Sequence, residues 1–332
     1  MKAYSNACKQ KSALERANAP RGKNKKEIKM KKFLAIALAA LMLLSFAACG
    51  ETEVESLSAA YDKYAAQYPA DGADGVLTVA LSPDFAPMEF YDLAKNGTDA
   101  IVGFDPLLAK YLATEMGYTL ELKPMSFDAC QAAVQSGKVD IAISGFSWTA
   151  DREQNYEITN YYIAGDNETE QSIICLKENE GKWTTPEDFA GLKIAYQGAS
   201  LQEVLVKSTF GDMADVDITT VYSDLGTAVE ALKAGNIDAL AVAHGNGESI
   251  IASAPDDIAF TGFDFEVDPK YENNVCLIQK GNTELLNKVN ALLDAALEND
   301  LYSGWYDASK VYAGVSTLDE LGFDDEGNKI EE

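Results

Sequence analysis

The chain has 332 residues, of which 47% are hydrophobic and 24% are charged, so it is long enough for one large or two medium domains. Residues 1–48 contain 11 of the 27 basic residues and 2 of the 53 acidic residues, which leaves the rest of the chain with a net charge of −35. A field of that sign repels phosphate backbones, so we expect no binding to nucleic acid.

The N-terminal segment has the pattern of an export signal. Two lysines precede an apolar run, Phe33–Ala48, that is shorter than the ~20 residues needed to span a bilayer. A basic start, an apolar stretch and small residues at its end are typical of a signal peptide, and Phe46-Ala47-Ala48-Cys49 resembles a bacterial lipobox with phenylalanine in place of the usual leucine. We predict a lipoprotein signal peptide over 30–48 and a lipid anchor on Cys49 that holds the protein to the cell membrane. An uncleaved anchor is the alternative, and it also places the rest of the chain outside the cytoplasm.

Three other segments are not expected to belong to a folded domain. Residues 1–29 are polar and basic, so we predict that translation begins at Met30 and that they are a non-native extension. The acidic, alanine-rich stretch 49–75 is predicted to be a tether with at most one transient helix. The acidic segment 311–332 is predicted to be a C-terminal tail.

The cysteines do not form a disulfide framework or a metal site. Two of the five lie in the leader and the lipobox, and the other three, Cys130, Cys175 and Cys276, form no CxxC motif. With His244 as the single histidine, we expect no metal and no cofactor. Cys130 follows a helical pattern and is predicted to be a core residue. Cys175 and Cys276 lie in two apolar strands that we predict to be adjacent, which leaves a disulfide between them open.

From residue 76 onward, apolar strands alternate with amphipathic helices, which is typical of an α/β fold. Strands are predicted at Val76–Ala80, Glu89–Tyr91, Tyr118–Leu122, Val139–Ile143, Ser172–Leu176, Leu192–Tyr196, Val216–Val221, Ile237–Ala243 and Asn274–Ile278. Helices are predicted at Pro106–Met116, from Phe127 onward, and at Leu201–Thr209, Ser223–Ala234 and Leu285–Leu297.

The stretch AVQSGKVDIAISGFSWTADR, which ends at Arg152, carries the first candidate site. A helix ends at Gly137 and a strand follows over Val139–Ile143, so the residues after the strand lie where open sheets bind ligands. These residues supply hydroxyls, a glycine and one guanidinium, which can hold both oxygens of a carboxylate. They are Ser144, Gly145, Ser147, Thr149 and Arg152. The alternative is a surface arginine beside serines that form turns.

A second copy of this pattern lies 98 residues further along the chain. ALKAGNIDALA at Ala231–Ala241 repeats the helix, glycine, aspartate and apolar strand of AVQSGKVDIAI at Ala133–Ile143. The repeat predicts two α/β lobes that are built alike.

Several motifs in this order resemble a known family. VALSPDFAPMEF, VGFDPLLAKYLATEMGY, SGFSWTADR and GLKIAYQGASLQEVL are similar to segments of the family 3 solute-binding proteins, which are the polar amino-acid receptors of ABC importers. The resemblance extends from Leu77 to Tyr306. It implies a type II periplasmic-binding-protein-like fold, in which two α/β lobes are joined by two antiparallel hinge strands around a ligand cleft. Lobe one would comprise 76–172 and 279–310, and lobe two would comprise 173–278.

The resemblance also implies roles for individual residues. Arg152, the backbone of Ser147 and the Ser200–Leu201 turn would hold a carboxylate, since free amides at a helix start attract anions. Ser200 also stands where a helix N-cap belongs. The remaining ligand contacts that the resemblance implies are Phe85, Phe127, Ser144 and Gly145.

One departure from the family concerns the ligand's ammonium group. The family usually has an aspartate at the position of Ala243, and burying an ammonium without an anion is costly. Either another group replaces it, with His244 and Asn246 of a flexible AHGNGE loop as candidates, or the ligand is not an ordinary α-amino acid. The alternative for His244 is a partly exposed loop residue. Ser82, where the family can have an acidic residue, disfavours lysine and arginine as ligands.

These features predict a monomeric, lipid-anchored receptor that delivers a small carboxylate-bearing solute to an ABC-transporter permease. An enzyme similar to cyclohexadienyl dehydratase is the alternative, because family relatives include one and His244 could act as its acid or base. A sensor input domain is a third class, but it would precede a membrane helix and signalling modules, which the sequence does not contain.

Overall fold

The computed structural model describes residues 57–162, 170–271 and 273–330. Residues 1–29, the predicted signal peptide and Cys49 lie outside these ranges. The strands are β1 (Gly75–Leu81), β2 (Asp84–Phe85), β3 (Glu89–Tyr91), β4 (Ile101–Val102), β5 (Tyr118–Pro124), β6 (Ile141–Ser147), β7 (Tyr156–Ile158), β8 (Gln171–Leu176), β9 (Ile194–Gln197), β10 (Val221–Tyr222), β11 (Ala239–Ala243), β12 (Ile258–Asp264) and β13 (Asn274–Gln279). The helices are α1 (57–67), α2 (Phe104–Glu115), α3 (Phe127–Gln135), α4 (Ala150–Asn155), α5 (Leu201–Phe210), α6 (Leu225–Lys233), α7 (His244–Ser253), α8 (Thr283–Glu298) and α9 (Leu301–Tyr312).

The first lobe is built on a five-stranded sheet with the order β5-β1-β6-β13-β7. β5, β1 and β6 are parallel, and β13 runs antiparallel to both of its neighbours. Successive residues of β1 face opposite sides of the sheet: Leu77, Val79 and Leu81 join one apolar core, and Ala80 joins another. The sheet is therefore covered on both faces, which explains why its central strand β6 begins with the continuous apolar run Ile141–Ile143. A small sheet, β2-β3-β4, lies between β1 and α2 along the chain.

The second lobe repeats this arrangement with the order β10-β9-β11-β8-β12. β10, β9 and β11 are parallel, and β8 is antiparallel to both β11 and β12. Along β11, Ala239 and Ala241 face one core while Leu240 and Val242 face the other. The strands of the repeated sequence pattern, β6 and β11, hold the same central place in their sheets, so the prediction of two lobes built alike is confirmed.

Two connections running in opposite directions join the lobes. At one end the Tyr162 amide donates to the Asn274 carbonyl at 2.9 Å, and at the other the Phe265 amide donates to the Gln171 carbonyl at 2.8 Å. The chain therefore crosses between the lobes twice, once in each direction, whereas the predicted crossover strands Ser172–Leu176 and Asn274–Ile278 lie inside the two sheets as β8 and β13.

The predicted pairing of the two cysteine-bearing strands is wrong. β8 lies between β11 and β12, and β13 lies between β6 and β7, so each strand already has two neighbours in its own sheet. Cys175 and Cys276 therefore belong to different lobes, and both are buried free thiols. The predicted burial of Cys130 is confirmed, since its side chain is fully buried.

Both predicted flexible segments contribute to the first lobe where the structure describes them. Ala60 and Tyr61 of α1 are buried, and the ring of Tyr68 packs edge-on against Trp305 at 5.6 Å. Phe323 in the C-terminal segment is also fully buried. The tether prediction fails for 57–75, and the acidic tail, whose order the sequence left open, is part of the first lobe over 311–330. Each segment buries its few apolar residues against the other end of the chain, a contact that local composition does not reveal.

The AHGNGE segment is helical and does not form the predicted flexible loop. It begins α7, and a Cβ atom on Gly247 would lie 2.6 Å from the ring of Phe260. This glycine allows the helix to approach the sheet closely, so it does not act as a hinge. Within the described ranges, no helix is both long enough and apolar enough to cross a membrane.

Candidate functional site

A small cavity lies between the two lobes. Its volume is about 30 Å³, roughly the space of one water molecule. The first lobe contributes Phe85, Phe127, Gly145, Ser147, Arg152 and Asn274, and the second contributes Gln171, Gln197, Leu201, Gln202 and Ala243. Six of the nine predicted ligand contacts are therefore together at this place: Phe85, Phe127, Gly145, Ser147, Arg152 and Leu201.

Arg152 is held in the cavity wall by the start of α4. The Thr149 hydroxyl caps this helix by accepting from the Arg152 amide at 3.2 Å. The Arg152 side chain is only 3% exposed, and its guanidinium donates to the Ser147 carbonyl at 2.6 Å and to the Ala199 carbonyl of the second lobe at 2.8 Å. A third, longer bond of 3.4 Å reaches Gln131 Oε1. These bonds use three of the five N–H donors, which leaves two for a ligand.

No carboxylate forms an ion pair with Arg152 in the parts of the chain that the structure describes. Burial lowers the pKa of Arg152 to about 10, so the group remains charged at neutral pH. Its guanidinium carbon lies 5.0 Å from the ring centroid of Phe146 and 5.6 Å from that of Phe127. These aromatic faces partly compensate a buried cation, but its full counter-charge is missing.

The start of α5 adds a second positive feature from the opposite lobe. Ser200 is the N-cap: its hydroxyl accepts from the Glu203 amide at 3.2 Å and donates to the Gln197 carbonyl at 2.6 Å. Ser200 therefore positions the helix beside the cavity, and the first-turn residues Leu201 and Gln202 line it. Helix starts carry partial positive charge, so both walls of the cavity favour an anion.

Gly145 is required by the shape of the cavity wall. Its φ of +52° is in the left-handed region, and a Cβ atom there would lie 2.6 Å from the ring of Phe85. Only glycine combines this backbone conformation with this close approach. The aromatic ring of Phe85 can therefore lie directly against the strand end.

Ser144 does not line the cavity, in contrast to the prediction that it contacts the ligand. Its hydroxyl donates to the Glu89 carboxyl and accepts from the Ser82 amide at 3.0 Å. Because side chains alternate along a strand, Ser144 faces the protein interior while its neighbours Gly145 and Ser147 face the cavity.

Behind Ser144 lies a buried pair of carboxyl groups, Glu89 and Asp105. The Gly145 amide donates to Asp105 Oδ2 at 2.8 Å, whereas Glu89 Oε2 and Asp105 Oδ1 have no other donor among the described residues. Burial and the nearby Asp105 charge raise the pKa of Glu89 well above its usual range, and burial raises the pKa of Asp105 to about 6. Burial therefore favours the protonated form of Glu89, whose proton can be shared with the neighbouring Asp105 carboxyl.

This pair predicts an unusual pH dependence of stability. The native state keeps protons that the unfolded chain releases near pH 4. The contribution of Asp105 to stability is therefore full below pH 4 and is lost as the pH rises through about 6, and the raised pKa of Glu89 makes its own contribution fall with rising pH in the same direction. Glu89→Gln supplies the same hydrogen bonds without a titrating proton. Relative to the native protein, the variant should gain stability as the pH rises from 4 to 7. Urea unfolding at each pH measures this difference, and parallel stability curves for the two proteins would contradict it.

His244 also does not line the cavity, in contrast to its predicted role. Its ring stacks on Phe260 at 4.4 Å, and its Nδ1 lies 2.8 Å from the Ser172 hydroxyl, which donates to Asp264. Ala243 is the last strand residue and faces the cavity, whereas His244 begins the following helix and points elsewhere. The proposed acid or base of the enzyme alternative is thus not placed at the site.

Four amide side chains of the cavity wall were not predicted from the sequence: Gln171, Gln197, Gln202 and Asn274. Gln197 ends β9 and Gln202 lies in the first turn of α5, so the rule that ligands bind at strand ends could have found both. Gln171 and Asn274 begin β8 and β13, next to the hinge connections, and no local pattern marks them. The Gln202 amide donates to Gln171 Oε1 at 2.6 Å, which ties two of these side chains together.

Comparison with known proteins identifies the same architecture. A family model described as bacterial extracellular solute-binding proteins, family 3, matches residues 77–308. The L-cystine-binding protein TcyJ of Escherichia coli (strain K12) is 31% identical over 219 residues, which cover 65% of this chain and 75% of TcyJ. A "Probable histidine-binding protein" of Campylobacter jejuni is 28% identical over 265 residues, which cover 77% of this chain and 93% of that protein.

A solved structure shows the same fold. The amino acid ABC transporter substrate-binding protein AbpA from Streptococcus pneumoniae, bound to L-arginine, superposes with a TM-score of 0.65 at 30% identity and covers 73% of this chain and 97% of AbpA. The match to the family model spans most of the chain and includes strands of both five-stranded sheets. The chain therefore belongs to family 3 of the bacterial extracellular solute-binding proteins.

Proposed function

We propose that the protein is the extracytoplasmic receptor of an ABC importer and binds a small polar solute through a carboxylate that Arg152 holds. The observation that carries this proposal is the guanidinium itself, which is buried, lacks an ion pair within the described residues and faces a helix start across the cavity. An uncompensated buried charge is strongly unfavourable, and an anionic ligand would supply the missing partner.

Hydrogen bonds between the lobes support a mechanism of lobe closure. Gln131 and Arg152 donate to the Ala199 carbonyl, and the Asn246 amide donates to the Ala86 carbonyl at 3.0 Å. A cavity of about 30 Å³ is too small for an amino acid, so the ligand enters when the lobes separate. The closed form around the ligand is the state that a permease would recognise.

A thermal-shift screen tests the proposal. Amino acids, their N-acylated and hydroxy-acid analogues, dipeptides and dicarboxylates are each compared with the corresponding carboxamide, which removes the charge and keeps the shape. A ligand should raise the Tm by mass action, whereas its carboxamide should not. Equal shifts from both would contradict a carboxylate site. The ligand should be recovered unchanged after incubation, as expected for a receptor that is not an enzyme.

Asp84 is expected to hold the closed form together. This first-lobe carboxylate accepts from the second-lobe Leu225 amide at 2.7 Å and from Gln197 Nε2 at 3.1 Å. Asp84→Ala removes both bonds, so ligand dissociation should become about tenfold faster while association changes little. Stopped-flow fluorescence measures both rates. Asp99→Ala, which removes an exposed first-lobe carboxylate, is the control, and equal dissociation rates for the two variants would rule out this role.

We also propose that the protein is anchored to the membrane through a lipid on Cys49. The lipobox-like Phe46-Ala47-Ala48-Cys49 after an apolar run supports this anchor. Cys49→Ala should shift the protein from the membrane fraction to the soluble fraction or the medium. Cys130→Ala, which removes a buried free thiol of the first lobe, is the control and should remain with the membrane. A Cys49→Ala protein that stays in the membrane fraction would instead indicate an uncleaved anchor.

A further inference from the structure

The charge of the cavity wall limits which part of a ligand it can accept. Arg152 and the start of α5 are both positive, and no aspartate or glutamate is among the described residues that line the cavity. The other polar side chains of the wall are uncharged: the amides of Gln171, Gln197, Gln202 and Asn274 and the hydroxyl of Ser147. The wall thus offers two sources of positive charge and no negative charge.

Three carboxylates close to the cavity wall in the fold are engaged elsewhere. Asp84 accepts from the Leu225 amide, Gln197 and the Ser82 hydroxyl. Asp105 accepts from the backbone amide of Gly145, and Asp264 accepts from the Ser172 hydroxyl. None of these carboxylates lines the cavity, so none can neutralise a cation inside it.

A free α-amino acid would bring an ammonium group into this wall. The ammonium is attached to the carbon that carries the carboxylate, so a carboxylate on Arg152 places the ammonium in the same cavity. An ammonium removed from water without an anion is strongly disfavoured, and Arg152 would repel it. Side-chain amides can donate to and accept from an uncharged amide or hydroxyl equally well.

Resting on the receptor function proposed above, we propose that the ligand is a small carboxylate whose neighbouring substituent is uncharged, such as an N-acylated amino acid or a 2-hydroxy acid. The carboxylate lies on Arg152 and the uncharged substituent faces the amide side chains. A free α-amino acid should therefore bind more weakly than its N-acylated or 2-hydroxy counterpart.

Calorimetric titration of matched ligands tests this inference. Free amino acids are compared with their N-acetyl and 2-hydroxy counterparts, each pair sharing one side chain, across polar, aliphatic and aromatic side chains. The uncharged member of a binding pair should bind at least tenfold more tightly. Tighter binding of the free amino acid would overturn this inference and leave the carboxylate receptor intact. If no carboxylate of either kind bound, the receptor function itself would fail, and this inference with it.

A substitution at Ala243 tests the same ligand preference by changing the protein instead of the ligand. Ala243 is 2% exposed and lines the cavity from the second lobe, so Ala243→Asp introduces the missing negative charge. The ratio of affinities should shift at least tenfold toward the free amino acid. Ala243→Asn has the same size without the charge and should not shift the ratio. Equal shifts in both variants would overturn the inference, and the wild-type titrations decide it even if the aspartate variant is unstable.

Discussion

Arg152→Met should reduce the affinity for carboxylate ligands by two to three orders of magnitude while the protein remains folded. The ligand would lose charge-assisted hydrogen bonds in a desolvated cavity, a loss of about 3–4 kcal/mol. Methionine fills a similar apolar volume, and removing a buried charge that has no ion pair also removes its desolvation cost, which offsets the lost hydrogen bonds, so we expect the protein to fold. Calorimetric titration gives the affinity, and urea unfolding checks that the free energy of unfolding does not fall.

Two further variants isolate the role of the guanidinium. Arg152→Lys keeps a positive charge but loses the planar fork, so it should recover only part of the affinity. Lys123→Met removes an exposed first-lobe cation and should leave the affinity unchanged. If Arg152→Met bound the ligand as tightly as the native protein, the carboxylate would have to lie elsewhere and the proposed site would be wrong.

The two-lobed fold could be predicted because its signals are local and occur twice. The helix, glycine and apolar strand that end at β6 recur at β11, and each copy produces the same parallel strand order. Packing between distant segments was not predictable in this way. α1 and Phe323 form part of the first lobe only because the two ends of the chain meet, and the composition of their segments alone suggested a tether and a tail.

Part of the candidate site could be predicted from the rule that open sheets bind ligands beyond the carboxyl ends of their strands. That rule located Ser147 and Arg152, but it did not decide which neighbouring side chains face the cavity. Alternation along β6 turns Ser144 inward, and the strand-to-helix change after Ala243 turns His244 away. Gln171 and Asn274 reach the cavity from the hinge connections, so their role depends on how the lobes close.

Trp305→Ala should produce the largest loss of stability among these variants. The indole is fully buried, and the aromatic rings around it come from α2, α9 and the segment after α1: Tyr111 at 5.4 Å, Tyr68 at 5.6 Å, Tyr302 at 5.9 Å and Phe104 at 6.2 Å. Removing a buried tryptophan side chain from such a cluster costs about 3–5 kcal/mol, because the transfer energy is lost and a cavity remains. For a chain of this size that corresponds to a fall in Tm of about 10 °C, measurable by calorimetry.

The same variant distinguishes a folded terminus from a tether. Because Tyr68 packs on Trp305, the substitution should expose residues 57–75 and accelerate their cleavage by a protease at temperatures where the rest of the chain is still native. Trp183→Ala, at a half-buried position of the second lobe, is the matched control; it should lose less stability and leave that cleavage rate unchanged. If 57–75 were cleaved at the same rate in the native protein and in both variants, the segment would not depend on the aromatic cluster. It would then behave as the tether predicted from its composition.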